Sequence, residues 1–172
     1  MSEATVTVRN ALLILLGVLL QTSWVNSLAI WDVRPDVVLL IVVFIGITRG
    51  QIEATAFGFA SGFLLDVYDP ESMGLNSLAN SVIGFAVAHS RPGIVAEDFR
   101  VQALLLFLAS LLHDLVYFTM HSIASPLAIP GLLLRYGLGA AIYTSCVGLG
   151  VSLLMSIRID KGIHLDARRL HG

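Results

Sequence analysis

Asp36-Val-Val-Leu-Leu-Ile-Val-Val-Phe-Ile-Gly-Ile-Thr48, then Arg49-Gly50-Gln51, then Ile52-Glu-Ala-Thr-Ala-Phe-Gly-Phe-Ala-Ser-Gly-Phe-Leu-Leu-Asp66-Val67: two apolar runs joined by a charged turn decide how this chain folds. At about 1.5 Å of helical rise per residue, the first run is short for a hydrocarbon layer about 30 Å thick. A re-entrant hairpin is one reading of such a pair. It would set Arg49 and Glu53 near the bilayer centre, where unpaired charge is costly. Two short crossings in a locally thinned bilayer avoid that cost and are the reading adopted.

Outward from this pair the apolar runs recur, giving six expected spans at 10–31, 36–48, 52–67, 75–88, 101–121 and 132–157. The expected fold is an all-α integral membrane protein, a six-helix transmembrane bundle forming one polytopic domain over residues 1–172. Composition agrees: 56% of residues are hydrophobic and 13% charged, with a mean hydropathy of +0.86. A soluble domain carries roughly 25% charged residues, so a water-soluble core is excluded. A net charge of −2 gives no basic face for nucleic acid. Cys146 is the single cysteine, which excludes an internal disulfide and a thiolate metal cluster.

Lys and Arg set the orientation. Arg9, Arg49, Arg91, Arg100, Arg158, Lys161, Arg168 and Arg169 fall on one side of the six spans, and only Arg34 and Arg135 on the other. Both termini are therefore expected in the cytoplasm, with 158–172 a basic cytoplasmic tail facing the anionic inner leaflet. Acidic Asp32, Asp36, Asp69 and Glu71 lie in the external connections, and Trp24 and Trp31 suit the outer end of the first span. An alternative reads Ala11–Leu20 as a signal-peptide core with a small-x-small cleavage pattern at Ser27-Leu28-Ala29. The n-region is weakly basic for that role, and cleavage would leave every later connection on the same side.

Ala54, Gly58 and Gly62 recur every fourth residue, a small-xxx-small stripe that admits another helix close to its backbone. Packing within the bundle is the first reading of the stripe, and docking of a partner's transmembrane helix the second. The last span repeats the pattern with Gly137, Ala141 and Ser145, then Gly148 and Ser152. Asp66, His113 and Asp114 are the ionisable residues inside spans, the default candidates for function in a bilayer. Asp36 and Arg135 should open spans two and six on the same face, so carboxylates clustered around arginine are expected there. Such a cluster serves either as a structural ion-pair network or as a proton or cation path. His113, Tyr117 and His121 share one helix face; the two histidines, about 12 Å apart by helical rise, are too distant for one metal ion.

Enzyme signatures are missing. The chain has no HExxH, no GxGxxG and no Walker loop, and Ser61 lacks the glycine two positions earlier that a nucleophile elbow requires. Asp66 and Asp114 as a proton-sharing aspartyl pair rest on residue type alone. The connection from Asp66 to Asn76 holds three carboxylates off the spacing of an EF-hand, with Pro70 and Gly74 marking a turn. No catalytic residue, metal or cofactor is expected.

Pro35-Asp36, the run Gly58-Phe-Ala-Ser-Gly-Phe-Leu-Leu-Asp66, and Gly74-Leu-Asn76 together resemble the bacterial rod shape-determining MreD family. The chain departs from the family's Gly/Pro-rich pattern at Tyr68-Asp69-Pro70-Glu71-Ser72. The resemblance implies a non-enzymatic scaffold of the cell-wall elongation complex in the bacterial inner membrane, beside a bitopic MreC-like partner. It also implies direct or indirect links to peptidoglycan synthases and the actin-like shape filament. Asp36, Gly58, Gly62, Asp66, Gly74 and Asn76 match the family pattern and are expected to act in interaction or folding. A fold like the six-helix substrate-binding subunits of energy-coupling-factor vitamin transporters is implied too, which makes a small-molecule-binding transporter subunit the alternative function.

Overall fold

The structure is a computed structural model that describes residues 3–23, 29, 33–91, 98–122 and 126–167, with side chains described between 12 and 153. Its helices are α1 (Glu3–Ser23), α2 (Val37–Thr48), α3 (Gln51–Tyr68), α4 (Leu75–Ser90), α5 (Phe99–His121), α6 (Ile129–Leu132) and α7 (Leu138–Ala167). Single 3-10 turns at Pro70–Ser72 and Pro126–Ala128 precede α4 and α6, and a π turn at Leu133–Gly137 joins α6 to α7.

The centre is α2. Its sequence is apolar on every side, which suits a helix enclosed by others rather than one with a solvent face. Val38, Leu39, Val42, Val43 and Ile45 are at most 3% exposed, and α1, α3, α4, α5 and α7 all pack against the helix. Asp36 starts it: the carboxylate accepts from the Leu39 amide at 2.8 Å and satisfies one of the free donors of the first turn.

At the other end of α2 the chain turns at Arg49 and Gly50 into α3 and meets the C-terminal end of α4. The Arg91 guanidinium donates to the Arg49 carbonyl at 2.7 Å, and the side chains of Gln51 and His89 are hydrogen-bonded at 2.8 Å. Thus the Arg49 turn lies beside the C-terminal end of α4, at an end of the bundle rather than halfway along it. That geometry argues against the re-entrant reading.

Among the described residues two helical stretches, Phe99–His121 and Pro126–Leu153, are long and apolar enough to cross a membrane. The second starts earlier than the run expected from 132, because Pro130 sits in the first turn, where a missing amide costs nothing. Backbone helix continues to Ala167, through the segment expected to be a tail from 158. Trp24, Asn26, Trp31, Asp32 and the Ser27-Leu28 part of the cleavage pattern lie outside the described residues, as do the side chains of Arg9, Arg158, Lys161, Arg168 and Arg169. Large apolar side chains face outward on every long side of the bundle, among them Leu15 and Leu19 of α1, Phe59 and Phe63 of α3, Phe85 of α4, Leu108 of α5 and Ile142 of α7.

Candidate functional site

Most of the candidate polar residues gather at one end of the bundle, in two centres. The first is built on the α3–α4 hairpin. These helices run antiparallel, and their closest approach follows the small-residue stripe. A Cβ added at Gly62 would meet the Asn76 carbonyl, one at Gly58 the Asn80 carbonyl, and one at Gly84 the Ala54 carbonyl, each closer than Cβ atoms come in real structures. The pairs 62 with 76, 58 with 80 and 54 with 84 form a single register. The stripe is thus filled by α4 of the same chain, and the reading in which a partner's helix docks on it gives way to internal packing. Likewise the later stripe faces inward: Gly137 abuts Asp114, Ala141 and Ser145 are buried, and Gly148 lies against Leu106 and Leu40.

Asp66 closes that hairpin. Its side chain is fully buried. Oδ1 accepts from the Asn76 amide and from Asn76 Nδ2, each at 3.0 Å. Oδ2 accepts from the Ser77 amide at 3.0 Å and from the Ser77 hydroxyl at 2.5 Å. The physical reason lies at the head of α4, where Gly74 occupies the N-cap with φ +93° and has no side chain to cap the helix. The free amides of the first turn therefore take a carboxylate from the neighbouring helix, whose charge suits the positive end of the helix dipole.

The second centre joins α2, α5 and α7. The Asp36 amide donates to Thr144 Oγ1 of α7 at 3.0 Å. Next to it, Gln21 of α1 accepts from the Val37 amide at 2.8 Å. His113 is 8% exposed and Asp114 18% exposed in their side chains, and His113 Nδ1 lies 3.2 Å from Asp114 Oδ1. The other Asp114 oxygen faces Gly137, where an added Cβ would stand 3.4 Å from it.

The expected five-residue cluster is therefore divided. Asp66 belongs to the helix cap, not to an arginine. Arg135 is exposed, with its guanidinium 5.3 Å from the centre of the Tyr136 ring. It lies in the last turn of the π segment, where the side chain follows the aromatic ring next to it rather than the carboxylates.

His113, Tyr117 and His121 do share a face: their rings stack, with centroids 6.4 and 5.8 Å apart along the row. Tyr117 donates to Ser72 Oγ at 3.1 Å, which ties α5 to the turn before α4. Among the described residues no three His, Cys, Asp or Glu side chains are grouped to hold a metal ion. Residues that sequence reasoning passed over include Gln21, Ser77 and Thr144, which hold these centres together, and Asn80, whose side-chain amide is buried without a hydrogen-bond partner. The signal for Ser77 was the uncapped glycine before α4; Thr144, in the middle of an apolar helix, carried none.

A family model described as rod shape-determining protein MreD matches residues 4–134. No curated protein and no solved structure matches the chain.

Proposed function

The chain belongs to the rod shape-determining MreD family, and on that premise we propose that it is a non-enzymatic scaffold of the cell-wall elongation complex that binds a bitopic MreC-like partner. Membership makes it a rod-shape-determining membrane protein. The finer reading adds a multi-pass chain in the inner membrane, both termini in the cytoplasm, and a bundle like that of the energy-coupling-factor binding subunits. Links to peptidoglycan synthases and to the actin-like filament run through the partner or directly.

One observation carries the scaffold reading. Of the six residues that match the family pattern, five, Gly58, Gly62, Asp66, Gly74 and Asn76, are engaged where α3 joins α4, and Asp36 caps α2. Residues used this way build a rigid frame. With its inner stripe filled, the frame meets partners on its outward apolar faces. Outward leucines and phenylalanines on every long side also favour a chain surrounded by lipid or by other helices.

Gentle extraction from the native membrane followed by native mass spectrometry tests this. Co-recovery of a bitopic protein at fixed stoichiometry is expected. A retained small molecule without such a partner would overturn the scaffold in favour of a vitamin-transporter binding subunit.

A further inference from the structure

We propose that the outward groove between α3 and α4, with Arg49 and Arg91 at its mouth, is a binding site for an anionic phospholipid, whose acyl chain lies in the groove and whose phosphate meets the two guanidinium groups. The inference goes beyond the scaffold role: it needs the bilayer in which this family works but not the MreC-like partner.

The groove has a volume of about 580 Å³, and every residue lining it belongs to α3 or α4. Phe59 and Phe85, each about half exposed, stand beside the smaller Ala56 and Ser81. Its hydroxyls are spent on their own helices: Thr55 donates to the Gln51 carbonyl at 2.7 Å and Ser81 to the Ser77 carbonyl at 2.6 Å. The lining is therefore left without a polar demand of its own, and suits a hydrocarbon chain.

Depth separates a lipid tail from a helix. From Gln51 to Phe59 the groove runs about 12 Å by helical rise, within the roughly 15 Å that one leaflet contributes to a hydrocarbon layer about 30 Å thick. A tail entering from the membrane surface needs no more. A partner's transmembrane helix crosses both leaflets and would leave the groove after less than half of its own length.

Along the groove the chemistry changes in the order of a phospholipid. Below the mouth are the phenyl rings. At the mouth Gln51 Nε2 and His89 Nδ1 are hydrogen-bonded at 2.8 Å across the two helices, and the His89 ring stacks on Phe85 with centroids 5.9 Å apart. This polar bridge suits the glycerol and ester level of a lipid. Two residues beyond it on either side are Arg49, partly exposed, and Arg91, exposed. Arg91 uses one guanidinium N–H on the Arg49 carbonyl and keeps its other donors. Among the described residues neither guanidinium is paired with a carboxylate, and Glu53, though exposed nearby, does not line the groove. Guanidinium forks match phosphate oxygens. A zwitterionic headgroup would bring a cation to the same place, so a net negative lipid is selected.

The test uses the full chain, purified without partners, in phosphatidylcholine nanodiscs that contain a trace of phosphatidylglycerol with a photoactivatable acyl chain; the phosphatidylcholine analogue serves as comparison. Peptide mapping is expected to place the phosphatidylglycerol label on residues 51–59 and 81–85 in excess over the comparison label. Arg49→Gln, which keeps the backbone carbonyl that Arg91 uses, is expected to lower that excess about fivefold, the scale of one arginine near an anionic lipid surface. Ala56→Leu, which fills the groove from an exposed position, is expected to remove labelling there by both probes. Equal labelling by the two probes overturns the proposal, as does labelling that Ala56→Leu leaves unchanged or an excess that survives Arg49→Gln and Arg91→Gln together. A groove that neither probe labels also overturns it, and a dimer by native mass spectrometry would then name a second copy of the chain as the occupant.

Discussion

Replacing Asp66 with Asn keeps the shape of the side chain and reverses half of its chemistry. The carboxylate accepts on both oxygens from Asn76 and Ser77. An amide offers one acceptor oxygen, and turns its NH2 toward a backbone N–H that cannot receive it. Asp66→Asn is expected to lower stability by about 2 kcal/mol or more, the scale of hydrogen bonds to a buried charged group. Denaturant or thermal unfolding in detergent checks this, and an unchanged midpoint would show that the cap is not a source of stability. Hydropathy made Asp66 legible as a carboxylate within an apolar segment, but pointed to the wrong partner. A search for side-chain cations cannot see backbone amides, and those amides are what the residue binds. The clue was indirect: α4 begins at Gly74, a residue with nothing to cap it.

Between α3 and α4, contact is set by backbone meeting backbone, so the smallest added group is already too large. Gly58→Ala and Gly62→Ala are each expected to cost about 1–3 kcal/mol, as overpacking does in a tight core. Gly150 is the control: it lies within α7 with open space for an added Cβ, and Gly150→Ala should stabilise by about 0.5–1 kcal/mol through helix propensity. Melting of the purified variants reads both, and equal effects at all three positions would refute the register. Leucine at Gly58 or Gly62 would break this hairpin, so it cannot isolate partner binding from folding. The ends of α2 to α5 fall within two residues of the apolar runs, because Asp36, Arg49-Gly50, Gly74 and Asp98 punctuate the chain. The π turn at Leu133–Gly137 had no such mark. Hydropathy follows side chains, whereas a π turn is a change of backbone hydrogen-bond register.

Across the whole molecule, the Arg49 turn and the Pro70–Ser72 turn lie at opposite ends of the α3–α4 hairpin, so the proposed orientation can be read with one reagent. After Cys146, which is exposed, is changed to Ser, Glu71→Cys is expected to react with a membrane-impermeant thiol reagent in cells whose outer barrier is opened. Gly50→Cys, in a turn with open space around it, is expected to react only after the inner membrane is disrupted. The reverse pattern would invert the topology. Charge asymmetry was visible in the sequence because it depends only on counting; the side chains that lock one end, Gln21, Ser72, Ser77 and Thr144, were not, because their partners are distant in the chain. The Asp66 cap also bears on how the chain is made. During synthesis Asp66 leaves the ribosome ten residues before Asn76, and until Asn76 and Ser77 follow, its carboxylate has none of its four donors. Alone in lipid, α3 would carry that unmet charge in its last turn, at a cost below the roughly 3 kcal/mol of an Asp at the helix centre. The insertion machinery therefore has reason to release α3 only together with α4, and a chain truncated between them would present quality-control proteases with an unfinished span.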